Sequence, residues 1–122
     1  MDDEEMVREV LGRMLGYLGY EVDFASDGSQ AIEKFVQAQA EGRPFAAAIL
    51  DLTIPGGMGG KEAIKELLKI DRQVKVIVSS GYSDDQIMAN FENYGFSAVI
   101  AKPYRIVELS KILQGVITKR AN

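Results

Sequence analysis

Between Glu4 and Leu18 the apolar positions are Met6, Val7, Val10, Leu11, Met14, Leu15 and Leu18. This stripe, which repeats as i, i+1, i+4, i+5, is one face of an amphipathic helix, and Gly19 supplies its stop. The period then shortens to two in Tyr20–Ala25, where Val22 and Phe24 share a face, and this predicts a strand. Asp27 with Gln30 three residues later has the form of a capping box. It opens a second helix with Ala31, Ile32, Phe35 and Val36 turned inward. Ala46–Leu50 is apolar without alternation, as in a strand covered on both faces.

Gly60–Ile70 returns to helical spacing through Ala63, Ile64, Leu67 and Leu68. Val74–Ser80 is a second buried strand. Ser83 and Gln86 cap a helix that turns Ile87, Met88 and Phe91 inward. Ser97–Ala101 is the last strand, and Arg105–Thr118 is a final helix through Ile106, Leu109, Ile112, Leu113, Val116 and Ile117. Strands alternating with helices give a parallel sheet with helices on both faces, so the chain reads as one α/β, doubly wound domain over 1–122. It opens on a helix, however, where such a domain should open on a strand.

Composition narrows the chemistry. The 122 residues contain no cysteine and no histidine, which excludes disulfides, thiolate metal sites, His-ligated metals, a Ser-His-Asp triad and a phosphohistidine on this chain. Net charge is −4 with no basic run, which argues against direct binding to nucleic acid. No apolar run is long enough to span a bilayer and the N-terminus is acidic rather than basic, so a cytoplasmic location is expected.

In doubly wound sheets, sites form at the carboxyl ends of the strands. Asp51 ends the strand at Ala46–Leu50, Ser80 ends the next, and Lys102 with Pro103 ends the last. Asp2, Asp3 and Glu4 lie just before the first helix, where a preceding strand would end. Clustered carboxylates suit a hard cation such as Mg²⁺, which prefers oxygen ligands, and a lysine nearby supplies positive charge for an anion. Asp51 is then placed as a nucleophile toward a phosphoryl group. The loop "GGMGGKE" after Pro55 fits neither the spacing of a phosphate-binding loop nor a dinucleotide fingerprint.

With "DDE" at the start, "LDLTIP" around Asp51, "VSSG" and "AKP" in this order, the sequence resembles a receiver domain of two-component response regulators over essentially its whole length. The resemblance implies a flavodoxin-like sheet of order 2-1-3-4-5. It implies that Asp51 is the phosphoacceptor, Asp2 and Asp3 the acidic metal pair, and Thr53 the donor of a backbone carbonyl to Mg²⁺. It further implies that Ser80 is the switch hydroxyl, Lys102 the phosphate-contacting lysine and Pro103 a proline after a cis peptide bond. Such a domain takes its phosphoryl group from a sensor histidine kinase or a histidine phosphotransfer protein and turns over no external substrate. It stands alone as a regulator or forms the receiver of a hybrid kinase. Two rival readings are a phosphohydrolase using Asp51 covalently and a degenerate receiver serving only as a binding scaffold. The hydrolase reading wants an acid two residues after the nucleophile, where Thr53 stands.

Three departures from the family pattern carry expectations. Val99 stands where an aromatic switch residue is usual, with Phe96 and Tyr104 as the nearby aromatics. The loop after Pro55 is one residue longer than the common pattern. Only Met1 stands where the first strand should run, and the burial lost with its apolar residues, roughly 8–15 kcal/mol in gross, rivals the stability of a small domain. The expectations are a sequence that begins inside a longer protein, a shifted strand, or a strand-exchanged homodimer. Asp2 and Asp3 are then expected on a loose terminus with weakened Mg²⁺ binding.

Overall fold

The apolar runs in the second half of the chain pair with one another. In a computed structural model describing residues 1–81, 87 and 89–118, β1 (Ala48–Asp51), β2 (Val76–Ser80) and β3 (Ala98–Ala101) form a parallel sheet in the order β1-β2-β3. The register sets Asp51 beside Ser79, Ser79 beside Ile100 and Ser80 beside Ala101. β2 is central and buried at every residue, so it carries no charge.

The helices α1 (Glu5–Tyr17), α2 (Gly28–Ala40), α3 (Gly60–Ile70) and α4 (Ile106–Thr118) keep within two residues of the periodic runs that predicted them, except that α2 has no predicted end. Asp27 caps α2 by accepting from the Gln30 N–H at 2.9 Å, while the Gln30 side chain reaches back to the N–H of Ser26 at 2.7 Å. The helix expected after Ser83, with Gln86 and Met88, falls outside the described residues. Of its inward set, Ile87 is buried in the core and Phe91 opens a 3₁₀ turn, Phe91–Tyr94.

Alternation along the strands divides the core in two. Leu50, Val76 and Val78 pack with Phe35, Ile64 and Leu67 on the α2–α3 face. Ile77 and Ile100 pack with Leu11, Leu15, Leu109 and Leu113 on the α1–α4 face. Helices therefore cover both faces of the sheet, as the doubly wound reading requires.

The strand predicted at Tyr20–Ala25 does not form. The segment is irregular and touches the sheet region through a bond from the Asp2 N–H to the Ala25 carbonyl, 3.0 Å. A strand exists by its ladder, and among the described residues Met1 and Asp2 are what lies between this segment and β1. Met1 donates its α-ammonium to the Ile49 carbonyl at 2.6 Å and accepts from the Asp51 N–H at 3.0 Å. Burial pushes that ammonium down to about 6 against the opposing pull of Asp2 and Asp51. A cavity of about 170 Å³ in this region is lined by Leu11, Leu15, Val22, Ala47, Ile49 and Leu113, among others. The described sheet thus contains the 3-4-5 half of the expected order, and its other half is not built as a ladder.

This geometry predicts the outcome of extending the chain. About five apolar residues placed ahead of Met1 should fill the cavity, pair with β1 and raise the thermal midpoint by at least ~10 °C. A polar extension of equal length should leave it unchanged. Calorimetry on the two extended chains checks this, and equal midpoints would show that the groove does not take a strand.

Candidate functional site

The ends of the strands bring together side chains from far apart in the sequence. Asp51 closes β1 and is buried, Ser80 closes β2 and is buried, and Lys102 follows β3 directly, its N–H donating to the Ser80 carbonyl at 3.0 Å. The Lys102 ammonium lies 2.7 Å from Asp2 Oδ2 and 3.2 Å from Asp51 Oδ2, so it bridges the two carboxylates. The peptide bond between Lys102 and Pro103 is cis, as the resemblance implied.

Asp2 is not on a loose terminus, which corrects the expectation from the missing strand. It is only 3% exposed. Its N–H is bonded to Ala25, its Oδ1 accepts from the Glu4 N–H at 3.0 Å, and its carbonyl accepts from Arg8 Nη1 at 2.8 Å. Side-chain and local backbone bonds thus do the work that a strand ladder would otherwise do. Asp3 and Glu4 are exposed beside it, and carboxylate oxygens of Asp2, Asp3 and Glu4 lie within 4.8 Å of one another. Sequence reading quoted Glu4 but assigned it no ligand role. The cluster includes it, while Asp51 joins Asp2 through Lys102. All these donors are hard oxygens, the chemistry that Mg²⁺ accepts.

Thr53 is exposed in the loop after β1. The last two glycines of this loop admit the chain itself. A Cβ on Gly59 would stand 2.5 Å from the Leu52 carbonyl oxygen and 2.9 Å from the Thr53 Cα, and one on Gly60 would stand 2.8 Å from the Asp51 carbonyl oxygen. The N-terminus of α3 is therefore pressed against the backbone that follows the nucleophile candidate, and Lys61 N–H donates to the Leu52 carbonyl at 3.3 Å.

Two groups in the site are shifted by their surroundings. Burial pushes the Asp51 carboxyl above the usual range, Lys102 opposes this, and the charges of Asp2 and Asp3 add to it. Burial works against the Lys102 ammonium, but its bonds and charge pairing with Asp2 and Asp51 outweigh that and raise it.

The Ser79 hydroxyl, to which the sequence pattern assigns no part, is hydrogen-bonded to the Tyr104 hydroxyl at 2.6 Å. Val99 packs on the α2–α3 face and Tyr104 on the α1–α4 face, so Tyr104 does not stand in for an aromatic at Val99; Phe96 is buried in the α2–α3 core. The signal was present as two polar residues flanking strand ends, but their pairing spans 25 positions and no local pattern reports it.

The family model described as response regulator receiver domain matches residues 1–114. The chain is 32% identical over 117 residues to the chemotaxis protein CheY of Thermotoga maritima, covering 92% of each. It is 31% identical over 118 residues to response regulator RR06 of Streptococcus pneumoniae, of whose length it spans about half, 51%. Among solved structures it is similar to the response regulator TrrA of Thermotoga maritima in complex with Mg²⁺ and BeF, with a TM-score of 0.80 at 28% identity, covering 94% of this chain and 93% of that one.

Two stability predictions follow from these contacts. Gly59→Ala should destabilise the fold by ~2 kcal/mol or more, because the added carbon meets backbone that cannot rotate away; denaturant melts read this directly. A raised folded-state pKa at Asp51 means that its contribution is favourable at acid pH and is lost as pH rises through that pKa. Asp51→Asn should therefore raise the thermal midpoint by a few degrees at neutral pH, with the gain vanishing as pH falls through the carboxylate range. A pH series of melts on both proteins checks the sign.

Proposed function

The chain belongs to the response regulator receiver domain family, the phosphoryl-accepting modules of two-component signalling, and we propose that Asp51 is the residue that takes the phosphoryl group. The observation that carries this reading is the Lys102 ammonium bridging Asp2 and Asp51 at the ends of three segments. The donor is a phosphohistidine on a histidine kinase or phosphotransfer partner, since this chain has no histidine. An Asp51 carboxylate oxygen attacks phosphorus, the P–N bond breaks, and the imidazole leaves with the electron pair and takes up a proton. Lys102 then leaves the carboxylate pair to meet a phosphoryl oxygen, and the Ser80 hydroxyl donates to another. Asp2, Asp3, Asp51 and the Thr53 carbonyl would hold Mg²⁺, which when bound supplies positive charge to the transferring oxygens. The aspartyl phosphate draws Ser80 and Lys102 toward it and so alters the face formed by the last two strands and α4.

The hydrolase reading lacks its general acid, because exposed Thr53 stands two residues after Asp51. The domain is proposed to act within the cytoplasm, as a signalling module without turnover of an external metabolite.

Incubation with acetyl phosphate and Mg²⁺, followed by intact mass, tests the assignment. The wild-type chain should gain one phosphoryl group and Asp51→Asn none. Lys102→Ala should gain it about 100-fold more slowly. Equal labelling of Asp51→Asn would remove Asp51 from the role, and rapid release of phosphate without accumulation would favour the hydrolase.

A further inference from the structure

Past β3 the chain leaves the sheet, yet it remains tied to β2 at two points that bracket Lys102 and Pro103. The Lys102 N–H bonds the Ser80 carbonyl at 3.0 Å, and two residues later the Tyr104 hydroxyl returns to Ser79 Oγ at 2.6 Å. Ser79 is 1% exposed and is the register partner of Asp51 across β1–β2. Paired residues of a parallel ladder project to the same face, so the Tyr104 hydroxyl is anchored beside the nucleophile candidate. The ring also packs on the α1–α4 core. A lysine side chain has several rotatable bonds and much rotamer entropy, so the position of its ammonium depends on how firmly its backbone is held.

We propose that Tyr104, through its hydrogen bond to Ser79, is a positioning residue for Lys102, holding the segment after β3 against β2 so that the ammonium stays over Asp2 and Asp51. The inference rests on the phosphoacceptor reading above for its kinetic consequence, though not for its geometry. A buried serine in a central strand costs stability unless its hydroxyl is bonded, and Tyr104 meets that need. Burial raises the Tyr104 phenol, so it remains protonated and the bond persists throughout the neutral range.

A purely structural role and a positioning role make different forecasts for paired substitutions. Tyr104→Phe alone leaves the Ser79 hydroxyl unpaired, whereas Tyr104→Phe with Ser79→Ala removes both polar groups and keeps the ring. The double variant should recover a thermal midpoint near that of the wild type. Its maximal rate of labelling by acetyl phosphate with Mg²⁺ should nevertheless stay about 10-fold low, with the half-saturating acetyl phosphate concentration unchanged. Labelling at the wild-type rate in the double variant would overturn the proposal, because satisfying Ser79 would then be the whole role. The second readout is the NMR signal of the Lys102 side chain without phosphodonor. It should shift between wild type and double variant, and an unchanged signal would overturn the proposal. If the wild type takes no label at all, the acceptor reading falls while this signal still decides the positioning of Lys102.

Discussion

Everything at the carboxyl end of the sheet depends on one ammonium group holding two buried carboxylates together. Asp2 and Asp51 are both withdrawn from water, and like charges so placed repel strongly. Lys102, at 2.7 and 3.2 Å from them, converts that repulsion into a bridged triad. Removing the ammonium would leave two buried carboxylates uncompensated. The arrangement is consequently a constraint on the fold as well as a chemical resource. It requires the residue after β3, the end of β1 and the N-terminus to meet at one point, and the parallel register is what brings the first two within reach.

The sheet supplies that register by being buried on both sides. β2 has no exposed residue, so any slip that rotated it by one position would exchange its two faces and unmatch both cores. Leu50 and Ile49 pack in opposite directions, and Asp51 follows in the same alternation, with Ser79 as its neighbour. The long glycine loop after Pro55 belongs to the same mechanical account. Its last two glycines let α3 start hard against the backbone of Asp51, Leu52 and Thr53, which stiffens the loop that follows Asp51.

The N-terminal side follows a different plan. Where a ladder would hold the acidic residues, Met1 and Asp2 use individual hydrogen bonds to Ile49, Asp51, Ala25 and Arg8. The result is a well-seated Asp2 next to a cavity, with Asp3 and Glu4 reaching water. Good local satisfaction of polar groups and poor filling of apolar space are thus compatible, since hydrogen bonds are directional and pairwise while apolar burial needs volume.

The linear sequence by itself determined the four helices α1 to α4, the three apolar strands and the family. Each of these rests on periodicity or on short motifs whose meaning is local, such as the stripe from Met6 to Leu18 or the Asp27–Gln30 cap. It also singled out Asp51, Ser80, Lys102, Asp2 and Asp3, because strand ends can be counted along the chain. Tertiary structure alone decided that Tyr20–Ala25 has no ladder, that Asp2 is pinned and that Ser79 is bonded to Tyr104. In each case the deciding partner lies across a fold contact. Alternation in Tyr20–Ala25 states which side chains share a face, but a strand forms only when a neighbouring backbone accepts its hydrogen bonds.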